Sequence, residues 1–458
     1  MCFKKGARRK KAIVLAAGEG TRMKSKRSKV LFPLLGKPMI AYVTGALESS
    51  GVEETILVGG NNADELRRMY PDATVVTQKI GEGLPYGTGY AASLAKDLLD
   101  PEDLVIVLAG DVPLLQKDTI AWFLESAKAD MTILAARKDD PTGYGRVIRD
   151  GNVRIVEEKD ATDAEKKETL VNSGIYVFRG KALVHGLSKL ENDNAQNEYY
   201  LTDLAEILVR DGFTTDVAVL EDAREMDGVN SRLELMRAEK ELRRRVNRAY
   251  MLAGVTIEDE DSVTIEPGVE IARDVTIERD VRIYGATVIG EDTTIESGSM
   301  LTNMKIGKGV RVRQSILEDS VVEDGVDIGP FAHLRPGAVL KEGAHVGNFV
   351  EVKNATMGAG TKAGHLAYIG DADLGDGINV GCGVIFVNYD GKKKHRSVVE
   401  DGAFIGSNAN VVAPVHIGGR AYIAAGSTVT EDVEEDKLII ARARQVAKER
   451  HKTKGENK

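Results

Sequence analysis

An aliphatic residue recurs every six positions through much of the carboxyl-terminal half of the chain. The series runs Ile265, Ile271, Ile277, Ile283, Ile289, Ile295 and Leu301. After a slip it resumes as Ile316, Val322, Ile328, Leu334, Leu340, Val346 and Val352, and again as Val399, Ile405, Val411, Ile417, Ile423 and Val429. A helix repeats at about 3.6 residues and a strand at two, so neither holds a period of six over this length. A left-handed parallel β-helix does. Each hexad lays down one flat side of a triangular coil, its aliphatic residue points into the prism, and small residues turn the corners. Coils stacked at about 4.8 Å satisfy one another's backbone groups. The chain has 48 glycines and only 5% aromatic residues, as a core built from Ile, Val, Leu and Ala demands.

Residues 11–230 have a different pattern. AIVLAAG, TILVGG, ATVVTQ, LVIVLAGD, MTILAAR and IYVF read as strands. Between them Met39–Ser49, Ala63–Tyr70 and Lys117–Ala129 carry apolar residues at helical spacing. Such alternation predicts a Rossmann-like α/β domain, a parallel sheet covered on both faces, with ligands at the carboxyl ends of the strands. Residues 231–252, starting SRLELMRAEKELRRRVNRAY, contain no Gly or Pro until the end of that stretch and predict a linker helix. The β-helix then spans 253–433. Residues 434–458 lose the hexad and predict a charged arm and tail, and residues 1–10 a basic extension. The basic run Lys4, Lys5, Arg8, Arg9, Lys10 and Lys11 reads as solvated.

A net charge of −9 argues against gripping nucleic acid or an anionic membrane surface. No apolar run reaches the roughly 18 residues that cross a bilayer. Two cysteines, Cys2 and Cys382, build no disulfide framework and favour a reducing cytoplasm.

LAAGEGTRMKSKRSK, Leu15–Lys29, follows the first strand. Backbone N–H groups of Leu15, Ala16, Ala17 and Gly18 can face a phosphate, Gly18 and Gly20 permit its close approach, and Arg22 and Lys29 supply cations. The spacing is neither a P-loop nor a dinucleotide fingerprint. Asp111, in LAGDVPLL, ends an apolar strand, where a buried carboxylate is expensive unless it serves an ion; a turn or helix cap is the plainer alternative.

With Gly36-Lys37-Pro38-Met39 behind it, this loop resembles the opening of the sugar-phosphate nucleotidyltransferases. From Lys10 to Gln445 the chain resembles the bacterial bifunctional N-acetylglucosamine-1-phosphate uridyltransferase/glucosamine-1-phosphate N-acetyltransferases. The resemblance implies UTP and acetyl-coenzyme A as substrates, Mg²⁺ held by Asp111 and Asn230, and a homotrimer. The product would be UDP-N-acetylglucosamine for the cell envelope. It also implies sugar contacts at Gly145, Glu157 and Asn172, and uracil contacts at Gln78, Gly87 and Thr88. Two departures stand out. Ser28 occupies the family's usual Pro position before Lys29, and KIGEGLPY lengthens the path from Gln78 to Gly87.

In the second half LRPGA, GNFVEVKNA, KAGHLAYIGDA, INVGCG, NYDG and FIGSNA interrupt the aliphatic pattern and match the acetyltransferase half of that family. Amine acetylation needs a base, oxyanion donors and cations for the sugar phosphate. His365 is the natural base, with Glu351 a candidate to orient it. Arg335 and Lys353 suit the phosphate, and Tyr368, Asn379, Asn388 and Tyr389 the sugar and oxyanion. Ser407, Ala425 and Arg442 would meet acetyl-coenzyme A, with Asn388 and Tyr389 near the same pocket. Cys382 stands beside that pocket where the family commonly has Ala; a small buried apolar residue is its plainer reading. Two other readings exist: a zinc site made by His333, His345 and His365, and a uridyltransferase whose β-helix is only structural.

Overall fold

The computed structural model describes residues 9–151, 153–193 and 197–448, and the chain divides into two compact units between Leu242 and Arg243. The amino-terminal unit is built on a twisted sheet. Its strands are β1 (Lys10–Ala16), β2 (Glu54–Gly59), β3 (Thr74–Thr77), β4 (Leu104–Ala109), β5 (Met131–Arg137), the hairpin β6 (Arg146–Arg149) and β7 (Val153–Val156), β8 (Leu170–Arg179) and β9 (Thr215–Leu220). The order is β9-β5-β8-β4-β1-β2-β3, and the hairpin pairs with β8 through β6. Apolar runs buried on both faces account for β1, β4 and β5. The expected all-parallel sheet is corrected: β8, which contains IYVF, runs antiparallel to both β4 and β5, and the hairpin adds antiparallel pairs β6–β8 and β6–β7. The hairpin carries too few consecutive apolar residues to be found from its pattern, and β9 is missing from the strands expected above although residues 217–220 are apolar.

The basic run is corrected at its end. β1 begins at Lys10, and Lys11 is buried, with its ammonium 3.0 Å from Asp103, 3.4 Å from Glu54 and donating to the Leu98 carbonyl at 2.7 Å. Residues 1–8, which hold the rest of that run apart from Arg9, lie outside the described residues.

Helix α1 follows the amino-terminal sheet as Arg232–Leu252. Its last turns cap the second unit. Asn247 is fully buried and donates to the Glu260 and Val263 carbonyls at 2.9 Å, while Tyr250 bonds the Val269 carbonyl. Beyond it the chain winds as a left-handed β-helix, its short strands collected into three parallel sheets of eleven, ten and nine strands. Each strand pairs with the third strand onward, the signature of a three-sided coil.

The aliphatic residues of the hexads form one continuous core, with a single correction of register. Leu317 is fully buried and Ile316 points outward, 41% exposed. The coil keeps its shape through steps of five residues as well as six. The steps Leu301–Ile306, Val312–Leu317 and Leu317–Val322 each turn through a left-handed residue two positions on, at Asn303, Gln314 and Asp319. Met357, Ala363, Ile369, Leu374, Val380 and Phe386 carry the core across the gap in the recognisable repeat. The stack also continues past residue 433, where Leu438–Ile439 pairs with Tyr422–Ile423.

Candidate active sites

β1 and β4 run parallel and end side by side, which places the loops after them together. A cavity of about 280 Å³ opens there. It is lined by Leu15, Ala16, Ala17, Gly18, Lys29, Gln78, Gly87, Thr88 and Asp111, together with Tyr86 and Glu198. Lys29 donates to Asp111 and, at 2.8 Å, to the amide oxygen of Asn230. The Asn230 loop is fastened by the Val229 N–H on the Asp111 carbonyl and by Glu234 accepting from the Asn230 N–H. Two oxygen atoms of the hard kind that Mg²⁺ prefers thus meet on the Lys29 ammonium.

The longer KIGEGLPY path does not move Gln78 away. Its side chain is 3% exposed and lines the cavity, and its Nε2 has no hydrogen-bond partner. A buried amide in that condition awaits an acceptor. Gly87 (φ 114°) begins the short helix Thr88–Ser93, and the Thr88 hydroxyl accepts from the Leu201 N–H. Arg22 is not brought in; it sits exposed on the single turn Thr21–Met23. Ser28, in the family's Pro position, accepts from Asn62, which also donates to the Ala16 carbonyl. A hydroxyl tether thus stands in place of the proline ring.

Gly145, Glu157 and Asn172 form a second group. The Asn172 N–H donates to the Gly145 carbonyl at 2.8 Å, and its amide donates to the Tyr176 hydroxyl. Burial pushes the Glu157 carboxyl above its usual range, against a lowering hydrogen bond from Thr202.

In the β-helix one corner carries His365, Cys382, Ser407 and Ala425 on successive coils. Backbone bonds join the coils there: Gly383 N–H to Leu366 carbonyl, Asn408 N–H to Cys382 carbonyl, Gly426 N–H to Ser407 carbonyl. A side chain at Gly381 would press to 2.6 Å from the Ser407 nitrogen, and one at Gly406 equally close to that of Ala425, so glycine keeps these backbones within reach. Arg442 lies at the next level, beside Gly426.

His365 donates through its Nδ1–H to the Asn348 amide oxygen at 2.9 Å. Glu351 does not orient it; that carboxylate is held by Arg335 at 2.6 Å. Arg335 and Lys353 occupy neighbouring coils, and Lys394 lies against Lys353, pushing the Lys353 ammonium below its usual pKa. Lys394 comes from the Asn388–Arg396 loop, which interrupts the coil between Phe386 and Val399. The loop folds around Asp390, which accepts from the Lys392 and Lys393 N–H groups and faces His395. Asn388 is buried and reaches Asp371 at 2.5 Å and the Tyr368 hydroxyl at 3.3 Å. Tyr389 and Asn379 are exposed. Cys382 is partly exposed rather than buried.

Sequence reasoning missed Lys394 and Asn348. The only signal for Lys394 was a lysine run after NYDG; Asn348 stood unremarked inside GNF. The three imidazoles of the zinc reading do not converge. His333 faces Glu318, His345 faces Asp327 and His365 faces Asn348. Among the described residues no three His, Cys, Asp or Glu side chains could hold a metal, and no helix is long and apolar enough to cross a membrane.

A family model for the MobA-like NTP transferase domain matches residues 12–197, and one for the bacterial transferase hexapeptide (six repeats) matches residues 396–431. The chain is 45% identical over 445 residues to a curated protein of Clostridioides difficile (strain 630), covering 96% of each, that bears the name Bifunctional protein GlmU. Proteins of the same name from Geobacillus sp. (strain WCH70) and Shouchella clausii (strain KSM-K16) are 46% and 44% identical. These alignments cover 96% of this chain and 97% and 98% of those relatives.

Proposed function

The chain belongs to the bifunctional GlmU family, and from that premise we propose how its own residues divide the uridyltransferase and acetyltransferase reactions. At the β-helix, glucosamine-1-phosphate is acetylated by acetyl-coenzyme A. His365, held by Asn348, takes a proton from the sugar's ammonium so that the free amine attacks the thioester carbonyl; the C–S bond then breaks and the coenzyme leaves as its thiol. Arg335, Lys353 and Lys394 bind the sugar phosphate. The Ser407 and Ala425 backbones, with Arg442, lie along the path of the coenzyme, and Cys382 is a partly exposed neighbour of its thioester end. Tyr368, Asn379, Asn388 and Tyr389 position the amino sugar.

At the amino-terminal cavity the phosphate oxygen of N-acetylglucosamine-1-phosphate attacks the α-phosphorus of UTP in line, and pyrophosphate leaves. No protein nucleophile is required, so catalysis consists of positioning and charge neutralisation. Gln78 supplies its unpaired amide to the uracil edge, beside Gly87 and Thr88. Backbone from Leu15 to Gly18 and the Lys29 ammonium face the triphosphate. Gly145, Glu157 and Asn172 receive the sugar. Asp111 and Asn230 would hold Mg²⁺, which when bound offsets the charge on the phosphates.

Stacked, exposed Phe331 and Phe349 on one corner support assembly as a homotrimer through the β-helix, which would cover them. The scarcity of cysteine supports a cytoplasmic setting.

One observation carries the two-site reading: each unit sets cationic side chains beside polar groups, Lys29 alone in one and Arg335, Lys353 and Lys394 in the other. The test is to incubate the protein with acetyl-coenzyme A, glucosamine-1-phosphate, UTP and Mg²⁺. UDP-N-acetylglucosamine, pyrophosphate and free coenzyme thiol are expected. Product formed only when N-acetylglucosamine-1-phosphate is supplied would reduce the β-helix to a scaffold.

A further inference from the structure

One polar cluster in the amino-terminal unit has no part in the reactions above. Lys138, just past the end of β5, donates to Asp227 Oδ1 at 2.7 Å. The Tyr144 hydroxyl donates to the same oxygen at 3.1 Å, and the Lys138 ammonium lies 4.9 Å over the Tyr144 ring. Burial pushes the Tyr144 phenol up, and the adjacent Asp227 carboxylate adds to this, so the hydroxyl keeps its proton and remains a donor.

What makes the cluster consequential is where its members sit in the chain. Tyr144 precedes Gly145, whose carbonyl receives the Asn172 N–H on the sugar side. Asp227 lies three residues before Asn230, whose amide oxygen shares Lys29 with Asp111. The segment from Asp227 to Asn230 is pinned at Val229 by Asp111 and at Asn230 by Glu234; Asp227 is its remaining anchor. The Gly145 turn is likewise pinned on its far side, where the fully buried Arg146 pairs with Glu158 at 2.7 Å. The Tyr144–Asp227 bond is therefore a direct tie between the turn that receives the sugar and the loop that presents the cation ligand.

We propose that Lys138, Tyr144 and Asp227 form a positioning bridge that makes sugar-phosphate binding and divalent-cation binding at Asp111 and Asn230 depend on each other. The inference rests on the allotment of those residues given above. None of the three touches a reacting atom; the bridge acts by holding Gly145 and Asn230 in register. A sugar phosphate that settles against Gly145 then favours the loop geometry that the cation needs, and linkage makes the effect reciprocal.

Tyr144→Phe tests this with the least disturbance, since it removes one hydroxyl and keeps the ring under Lys138. Asp227→Asn and the double variant complete a cycle. Loss of one hydrogen bond between positioning groups predicts about a fivefold rise in KM for N-acetylglucosamine-1-phosphate, with KM for UTP and acetyl transfer unchanged. Calorimetric titration of Mg²⁺ into the protein, with and without N-acetylglucosamine-1-phosphate, should show sugar-dependent tightening in the wild type and none in Tyr144→Phe. The double variant should lose no more than Asp227→Asn, because the two groups act as one unit. If Tyr144→Phe keeps both the wild-type KM and the sugar-dependent tightening, the bridge is refuted, whatever Asp227→Asn does to thermal stability. A wild-type protein that consumes no UTP overturns the uridyltransferase allotment itself, a separate result.

Discussion

In the amino-terminal unit Asp111 and Gln78 reach their cavity while 8% and 3% exposed, whereas in the β-helix His365, Tyr389 and Ser407 stand on the outside of a prism. The difference follows from the two folds. An α/β sheet ends its strands together, so loops from Leu15, Gln78, Asp111 and Asn230 enclose a pocket within one unit. A β-helix spends its interior on packing, so chemistry is left to corners and to the one loop it extrudes, Asn388–Arg396. The first design encloses a pocket with its own backbone. The second displays a ladder of groups at coil spacing and leaves one side open, which the homotrimer proposed above would close.

The largest effect that would break this contrast is a failure of independence. His365→Ala should lower acetyl transfer by about 10²–10⁴-fold, the range for a positioned base, and leave uridylyl transfer intact. Lys29→Ala or Asp111→Ala should do the reverse, lowering uridylyl transfer by roughly 10²–10³-fold. Separate assays of coenzyme thiol release and pyrophosphate release check both. Near wild-type acetylation by His365→Ala would remove the imidazole from its assigned role.

A stability measurement sharpens the account of the prism. Leu317→Ala removes a fully buried side chain and should cost about 2–5 kcal/mol in denaturant unfolding of the β-helix. Ile316→Ala, one residue away and 41% exposed, should change it by no more than about 0.5 kcal/mol. Reversal of that order would restore the strict six-residue register.

Gln78→Leu probes the enclosed pocket. Because Gln78 Nε2 has no partner in the protein, the change should leave thermal stability unchanged or raised, while KM for UTP rises about tenfold. An unchanged KM would place the uracil elsewhere.

The smallest effect concerns pH. Burial, then the neighbouring Glu206, Glu157 and Asp160, push the Asp203 carboxyl up to about 6 from 3.8. A folded-state value above the unfolded one means that the protonated group favours folding. The contribution is full below pH 3.8 and is lost as pH rises through about 6. Asp203→Asn should therefore raise Tm at pH 7.5 and raise it less at pH 5. Equal gains at both values would show that charge burial is not the cause.

Much of this protein was legible before any coordinates. Inward residues such as Ile283, Leu334 and Ile405 announce the prism because every one must be apolar for the core to exist. The buried runs of β1 and β4 announce the sheet, and Gly18, Lys29 and Asp111 announce the cavity, since phosphate chemistry demands such groups after a strand. Short-range pattern carries that information. It does not carry direction or partnership. The antiparallel course of β8, the burial of Lys11 against Asp103 and Glu54, and the inward turn of Leu317 depend on neighbours far along the chain. So do the pairing of Asn348 rather than Glu351 with His365, the arrival of Lys394 beside Lys353, and the tie between Tyr144 and Asp227. A hydrogen bond or ion pair is decided by a few tenths of an ångström between groups 17 to 92 residues apart, and only the folded backbone sets that distance.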